Sequence, residues 1–209
     1  MSVRASLQGA PPARPLTPSN PGSPPAGGGN TNPPPATDPL PTLPRPAGAG
    51  DVTSATITWH VRESFVDYIN SGGGTSTENG ATSDPPYEFH FPFARGWRDP
   101  ASGDAALYYT GRVNFRYPSH GIDMQAEDPE IELNGADSRA IFRMDGRREA
   151  LIDLHPDQAA SHTISPDGKT HTYERIPGTV PEGTGDSVFA GFYLPGDEFG
   201  SVSVRFSTA

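Results

Sequence analysis

The 209-residue chain contains no cysteine, and this absence excludes several kinds of chemistry at once. Without a thiol the protein forms no disulfide, holds no metal through thiolate and has neither a cysteine nucleophile nor a lipid-modified cysteine. The absence does not fix the compartment, because many exported bacterial proteins also lack cysteine.

Long apolar runs are also missing. No stretch approaches the ~20 apolar residues of a membrane-spanning helix, so we expect no membrane span in this chain. The first ten residues, MSVRASLQGA, contain one arginine but no apolar segment after it, and a secretory signal peptide needs such a segment. Two alternatives stay open: a soluble cytoplasmic protein, or an exported one whose signal was removed or whose start was misassigned.

The first 50 residues have few large apolar side chains and hold 14 of the 25 prolines. This composition cannot bury enough apolar surface to offset the entropy lost on ordering, so we predict that residues 1–50 are disordered or extended. Proline-rich segments act as semi-rigid spacers. We expect a chain that begins near Asp51 to fold and to bind its ligand as the full chain does.

Residues 51–209 have the length of one ordinary domain with a single core. They carry both tryptophans, Trp59 and Trp97, and nearly all the other aromatic side chains. With 24 acidic against 12 basic side chains, this part has a formal net charge of −12. Such a charge repels phosphate backbones, so nucleic acid is not an expected partner.

Most of this domain shows the alternation of short β-strands. In ATITWHV, Ala55, Ile57 and Trp59 fall on one strand face. Later runs, separated by turn residues, are YEFHF, LYYTGRVNFRY, GIDMQAE, EIELN, SRAIFRM, ALIDL, HTYERI, DSVFAGFY and SVSVRF. The pattern predicts a mainly β fold, an antiparallel β-sandwich or barrel-like domain with one or two short helices. SPDGKTHTY predicts a hairpin turn, since a calcium loop needs more carboxylates.

One short helix is predicted in HVRESFVDYIN. Its apolar side chains Val61, Phe65, Tyr68 and Ile69 recur at helical spacing and form one stripe. Asn70 and the glycines that follow Ser71 predict the helix end. We expect the segment from Asn70 to Gly74 to leave room beside Tyr68, where backbone or solvent can approach.

Sequence patterns typical of catalytic or metal sites are scarce. The six histidines form no HxH or HExxH pattern, so no dedicated zinc site is predicted. No nucleophile elbow, phosphate loop or dinucleotide fingerprint is present. A carboxylate pair for glycoside hydrolysis stays open because such pairs are distant in sequence, although no spacing favours it. Taken singly, Tyr68 is an ordinary core or rim residue, and His120 is an ordinary loop histidine.

Three segments, taken together and in order, resemble the HtaA-type haem-binding domain of cell-envelope haem-acquisition proteins in high-GC Gram-positive bacteria. They are TWHVRESFVDYI with GGG, GRVNFRYPSHGIDMQAEDPEIEL, and FAGFYLPGDEF. The resemblance covers about residues 55–206 and is loose between 155 and 185. Where the family often has GHGG or GHDG, this chain has PSHGI, so a different loop shape is expected.

The resemblance implies a mainly β fold that holds one haem b in an open groove. Tyr68 corresponds to the tyrosine that ligates the ferric iron, and His120 to the histidine that hydrogen-bonds that tyrosine. Tyr193 matches the tyrosine before PG in the third segment, and Phe65 offers an apolar contact for the porphyrin. Phenolate is a hard ligand that favours Fe(III), and a second-shell imidazole would orient it and make it easier to release.

We therefore expect a monomeric, non-catalytic domain that binds haem for uptake or relay and is secreted or attached to the cell envelope. Its partners would be haem and other haem-relay proteins or a haem transporter. Two alternatives remain. One is a carbohydrate-binding module that uses Trp97, Tyr108 and Tyr109 as a sugar platform, and the other is a structural β-module without haem.

Overall fold

The computed structural model of the protein describes residues 40–189 and 191–209. The predicted disorder of residues 1–39 lies outside these ranges. The helices are α1 (Glu63–Asn70) and α2 (Thr184–Ser187). The strands are β1 (Gly50–Val61), β2 (Gly74–Glu78), β3 (Thr82–Asp84), β4 (Glu88–His90), β5 (Phe93–Arg98), β6 (Ala105–Tyr109), β7 (Arg112–Tyr117), β8 (Ile122–Leu133), β9 (Arg139–Met144), β10 (Arg147–Leu154), β11 (Ser161–Ile164), β12 (Thr170–Thr179) and β13 (Glu198–Thr208).

Eight of these strands close into a ring, which confirms the predicted mainly β, barrel-like fold. From β1 the antiparallel pairing passes through β13, β12, β10, β9, β8, β6 and β5 and then returns to β1. Two long strands each pair with two different strands along one edge. β1 pairs with β5 at its start and with β4 near its end, while β8 pairs with β7 in its first half and with β6 in its second.

The core fills the inside of this ring. Trp59 is fully buried, and its ring lies 4.7 Å from Phe142 and 6.0 Å from Phe115, measured between ring centroids. Ile57 is buried on the same side of β1, and Ala55 packs against the core. The alternation in ATITWHV therefore predicted the correct face, because successive strand side chains point to opposite sides of a sheet.

Three runs have other boundaries than predicted. LYYTGRVNFRY was predicted as one strand, but the chain turns at Gly111, where φ is +122°, and forms both β6 and β7. GIDMQAE and EIELN are instead two halves of the single strand β8. One contact between residues 17 positions apart lies at both places: the Gly111 amide donates to the Asp128 carboxylate (3.1 Å) at the bend within β8.

Two further predictions were wrong. DSVFAGFY forms no strand in its described residues, because local turns satisfy the backbone: the Val188 amide donates to the Thr184 carbonyl, and the Phe192 amide to the Phe189 carbonyl. Val61 does not belong to the helical stripe, because its pairing with β13 keeps it in β1. Within residues 40–189 and 191–209, no helix combines the length and apolarity that a bilayer crossing requires.

Residues 40–49 are described, and several of them contact the domain. The Leu43 amide donates to Oε1 of the buried Glu132 (2.9 Å), and Arg148 donates to the Leu40 carbonyl (2.6 Å). These contacts join the end of the predicted spacer to β8 and β10. The domain boundary at residue 50 stays a prediction, and it can be tested by removing the residues that make these bonds.

A chain that starts at Asp51 should still fold, because the buried apolar residues of the core all follow Asp51. It should be less stable than a chain that starts at Asp38 by about 1–3 kcal/mol, since hydrogen bonds to charged side chains are lost. Urea unfolding of both proteins measures the difference. Loss of cooperative unfolding in the shorter chain would contradict a boundary near residue 50.

Acid should destabilise the domain through His171 on β12. The side chain is 3% exposed and stacks on Phe206, with the ring planes 10° apart. Burial lowers the pKa of His171, and Arg98 and His162 lower it further. The unfolded chain therefore binds a proton at His171 more readily than the folded chain does. The stability that the neutral His171 contributes is complete above the ordinary histidine pKa of about 6.5 and is lost progressively as pH falls below it.

The measurement is the free energy of unfolding between about pH 7 and about pH 5 for the wild type and for His171→Phe. The phenylalanine keeps the stack on Phe206 and cannot titrate. We expect a shallower decline with acid in the variant. Equal slopes in the two proteins would rule out His171 as a source of the pH dependence.

Candidate functional site

Helix α1 positions Tyr68 at the boundary between core and surface. Phe65, Val66 and Ile69 are buried, while Tyr68 is half-buried. Hydrophobic burial of one face therefore fixes the helix and leaves the Tyr68 ring at its edge. The helix ends as predicted at Asn70, and the Gly73 amide donates to the Ile69 carbonyl (2.9 Å).

His120 lies directly beside Tyr68, although the two residues are 52 positions apart. The Tyr68 hydroxyl and Nδ1 of His120 are hydrogen-bonded. His120 ends a single 3-10 turn, Pro118–His120, between β7 and β8, and Gly121 follows it in the left-handed region at φ +69°. The exposed turn thus brings an imidazole to the phenol.

Tyr117 completes this cluster and was not singled out from the sequence. Its ring stacks on His120 with centroids 4.2 Å apart and planes 7° apart, and it lies 5.2 Å from the Tyr68 ring. Tyr117 therefore restricts the orientation of the imidazole that bonds to Tyr68. The signal available was an aromatic residue at the end of a predicted strand, immediately before the histidine-bearing turn.

The glycine run after α1 is explained by close packing against β7. A Cβ atom at Gly72 would lie 2.0 Å from Cε2 of Tyr117, and one at Gly73 would lie 1.7 Å from the Arg116 carbonyl oxygen. A Cβ atom at Gly74 would have no neighbouring atom within 4 Å. Gly72 and Gly73 thus allow β7 to pack closely against the end of α1, and the room predicted beside Tyr68 is not what these two glycines provide.

Tyr193 is packed into an aromatic cluster beside α1. Its ring lies 6.2 Å from that of Phe65 and 5.2 Å from that of Phe199, and the Arg62 guanidinium lies 5.1 Å above it. Burial raises the pKa of Tyr193, and Arg62 partly opposes that shift. Phe65 is only 6% exposed, so it packs against Tyr193 from the core side.

Two strongly exposed apolar side chains flank Tyr193. Phe192 is 60% exposed and Leu194 is 64% exposed. Both belong to the loop whose Tyr193 packs against Phe65 of α1. This loop is therefore a candidate apolar contact next to α1.

The residues of the predicted sugar platform are not available for stacking. Trp97 is 4% exposed and Tyr109 is 2% exposed, whereas sugars stack on exposed aromatic faces. Tyr108 is covered by the Arg95 guanidinium, which lies 3.8 Å from the ring centroid. The three rings therefore form no exposed platform.

A surface cavity of about 800 Å³ lies elsewhere on the domain, between residues 42–45 and strands β1, β5 and β6. Tyr68, His120 and Tyr193 do not line it. No histidine lines it either, so the cavity offers no imidazole to a ligand. We therefore place the candidate site at the open Tyr68 surface, where a phenol and an imidazole meet.

The HtaA family model matches residues 54–205, which is most of the chain. The chain belongs to the HtaA family. Solved domains of similar fold are known from Corynebacterium glutamicum. The C-terminal domain of its HtaA matches with a TM-score of 0.64 and 24% identity over 77% of this chain and 99% of that chain.

Two further solved structures share the fold of this HtaA-family domain. The N-terminal domain of C. glutamicum HtaA has a TM-score of 0.54 and 18% identity over 76% of this chain and 98% of that chain. The haem-binding protein HtaB from the same organism has a TM-score of 0.53 and 16% identity over 77% of this chain and 95% of that chain. The comparison with curated proteins gave no match.

Proposed function

We propose that this HtaA-family domain binds ferric haem through the phenolate of Tyr68 and holds it for uptake or relay at the cell envelope, without catalysis. The single observation that carries the proposal is the hydrogen bond between the Tyr68 hydroxyl and His120 on an open surface. Membership of the HtaA family supports it, as does the shared fold with HtaB, a haem-binding protein.

The Tyr68–His120 pair suits a carrier of ferric haem. A phenol has an ordinary pKa near 10 in water, and a bound cation stabilises its anionic form at neutral pH. Phenolate oxygen is a hard ligand for Fe(III). With Nδ1 protonated, His120 donates to that oxygen, which fixes the ring orientation and weakens the iron–oxygen bond. The ligand can then be given up when the cargo passes to a relay protein or transporter.

The surroundings of the pair also fit a flat apolar ligand. Tyr117 holds the imidazole in place by stacking. Exposed Phe192 and Leu194 offer apolar surface that a porphyrin could cover, with about 25 cal/mol gained per Å² removed from water. Tyr193 between them stays a predicted haem contact, and Phe65 contributes by supporting its ring.

His120→Ala should still bind hemin, with an altered absorption spectrum and a changed rate of release. Because the hydrogen bond weakens the iron–oxygen bond, its loss should strengthen that bond and slow the release of hemin. Tyr117→Leu removes the stacking ring but keeps both members of the hydrogen bond, so its effect should be smaller and in the same direction. Stopped-flow transfer of hemin to apomyoglobin measures both release rates.

The roles would have to be exchanged if His120→Ala lost all binding while a variant without the Tyr68 phenol retained it. Equal release rates in the wild type and in His120→Ala would instead mean that the hydrogen bond does not tune the ligand.

The test of the proposed function is a hemin titration of the purified wild-type protein, followed by absorption spectroscopy. We expect a Soret band that saturates at one hemin per chain. A carbohydrate-binding module would give no such band with its sugar, and a structural module would fail to saturate with hemin. Either result would overturn the proposal.

A further inference from the structure

A second group of ligand-type side chains lies on the outer face of β1, β4 and β3. Across these strands Asp84 pairs with Glu88, and Glu88 pairs with His60. His90 is two residues beyond Glu88 and therefore projects from the same face. The intervening residue Phe89 points into the core and is 1% exposed, which fixes the register.

The donor atoms on this face are close enough to share one ion. One ligand atom each from Asp84, Glu88 and His90 lies within 4.8 Å of the others. His90 Nε2 is 3.1 Å from Oδ2 of Asp84. Two ligands of a tetrahedral zinc ion with bonds of 2.0–2.1 Å are separated by about 3.3 Å, so this pair is already at the required spacing.

A neighbouring side chain orients the imidazole for this task. Nδ1 of His90 lies 3.1 Å from the hydroxyl of Thr58 on β1. Without a metal, His90 Nε2 donates to the Asp84 carboxylate and Nδ1 accepts from the Thr58 hydroxyl. A metal bound at Nε2 would take the place of that proton, and the Thr58 hydroxyl can rotate to accept a proton from Nδ1 instead. Metal-ligating histidines commonly have such an outer-shell partner on the second ring nitrogen.

The charges on this face favour a cation. Within residues 40–189 and 191–209, the salt bridges of Asp84 and Glu88 are made to histidines only, His90 and His60 respectively. His60 also approaches Glu63 at 3.4 Å. Among the described residues no lysine or arginine forms a salt bridge with Asp84 or Glu88, so no permanently charged cation offsets these carboxylates.

We propose that Asp84, Glu88 and His90 bind a divalent transition-metal ion of the zinc type, with Thr58 as a positioning residue. One imidazole and two carboxylates form a mixed nitrogen and oxygen donor set, which suits zinc, cobalt or nickel better than calcium or magnesium. The three ligands leave a fourth position to water. The absence of an HxH or HExxH pattern does not exclude this site, because strand pairing assembles it.

The site is independent of the proposed haem function, since it shares no residue with the Tyr68 cluster. The experiment is therefore done on hemin-free, untagged protein that has been dialysed against a chelator. Zn²⁺ binding is measured by calorimetry, and Co²⁺ binding by its visible absorption. We expect one ion per chain and a rise in melting temperature with Zn²⁺, because an ion that binds only the folded state stabilises it.

Asp84→Asn and His90→Gln should each lower the Zn²⁺ affinity at least 10-fold, and Thr58→Val should lower it by roughly 10-fold without removing a ligand. Glu174→Gln, a change of an exposed acid on β12, is the matched control and should bind as the wild type does. Tyr68→Phe should also bind Zn²⁺ normally, which separates this site from the haem site.

Melting temperatures without metal show that each variant is folded, as expected for changes on an outer face. The proposal is overturned if the wild type takes up no Zn²⁺, or if Asp84→Asn and His90→Gln bind it as tightly as Glu174→Gln does. It is also overturned if Tyr68→Phe alone abolishes the binding, because the ion would then occupy the Tyr68–His120 pair.

Discussion

Tyr68→Phe should fold as the wild type does and lose most of its affinity for ferric hemin. The change removes one oxygen and keeps the half-buried ring, so packing against Tyr117 should persist. The lost oxygen is the proposed iron ligand. The loss of affinity should therefore exceed the roughly 10- to 100-fold typical of an outer-shell change. The charge-transfer band of high-spin ferric tyrosinate haem, at the red end of the spectrum, should disappear.

Tyr193→Phe is the matched control for this experiment. It removes the same atom from a tyrosine in the neighbouring aromatic cluster, and it should keep the charge-transfer band. If Tyr68→Phe binds hemin with an unchanged spectrum, Tyr68 is a packing residue. Loss of the band in Tyr193→Phe alone would assign the ligand role to Tyr193.

Gly73→Ala should destabilise the domain by roughly 3 kcal/mol, an overpacking effect on rigid neighbours. The added methyl group would meet the Arg116 carbonyl at 1.7 Å, and a backbone atom cannot move aside as a side-chain end can. Relief of the clash must separate α1 from the end of β7. That movement also shifts Tyr117 and His120 away from Tyr68, so hemin affinity should fall together with stability.

Gly74→Ala is the control within the same run of glycines. Its Cβ would meet nothing within 4 Å, so the stability should change by no more than about 0.5 kcal/mol. Chemical denaturation and hemin titration of the two variants give both quantities. Similar stabilities for Gly73→Ala and Gly74→Ala would show that the packing of α1 against β7 is not as tight as described.

Local patterns in the sequence predicted the parts of the fold that depend on near neighbours. Alternation placed Trp59 and Ile57 on the inner face of β1, and helical spacing with a glycine stop predicted α1. The hairpin expected at SPDGK joins β11 to β12. In these cases the residues that decide the structure lie within a few positions of one another.

Features that depend on distant contacts could not be predicted in this way. The division of LYYTGRVNFRY into two strands depends on Asp128, and the need for glycine at position 72 depends on the ring of Tyr117. DSVFAGFY has a strand-like composition, but local turn hydrogen bonds determine its backbone. For the candidate site, only the resemblance linked Tyr68 to His120, because no local pattern relates residues on different elements.

The most direct test of the central claim is the resonance Raman spectrum of the ferric hemin complex, excited in the charge-transfer band. If the Tyr68 phenolate binds the iron, tyrosinate vibrations should be enhanced in the wild type and in Tyr193→Phe but absent from Tyr68→Phe. A wild-type spectrum without tyrosinate vibrations, or with the signature of low-spin haem held by histidine, would contradict the proposed ligation.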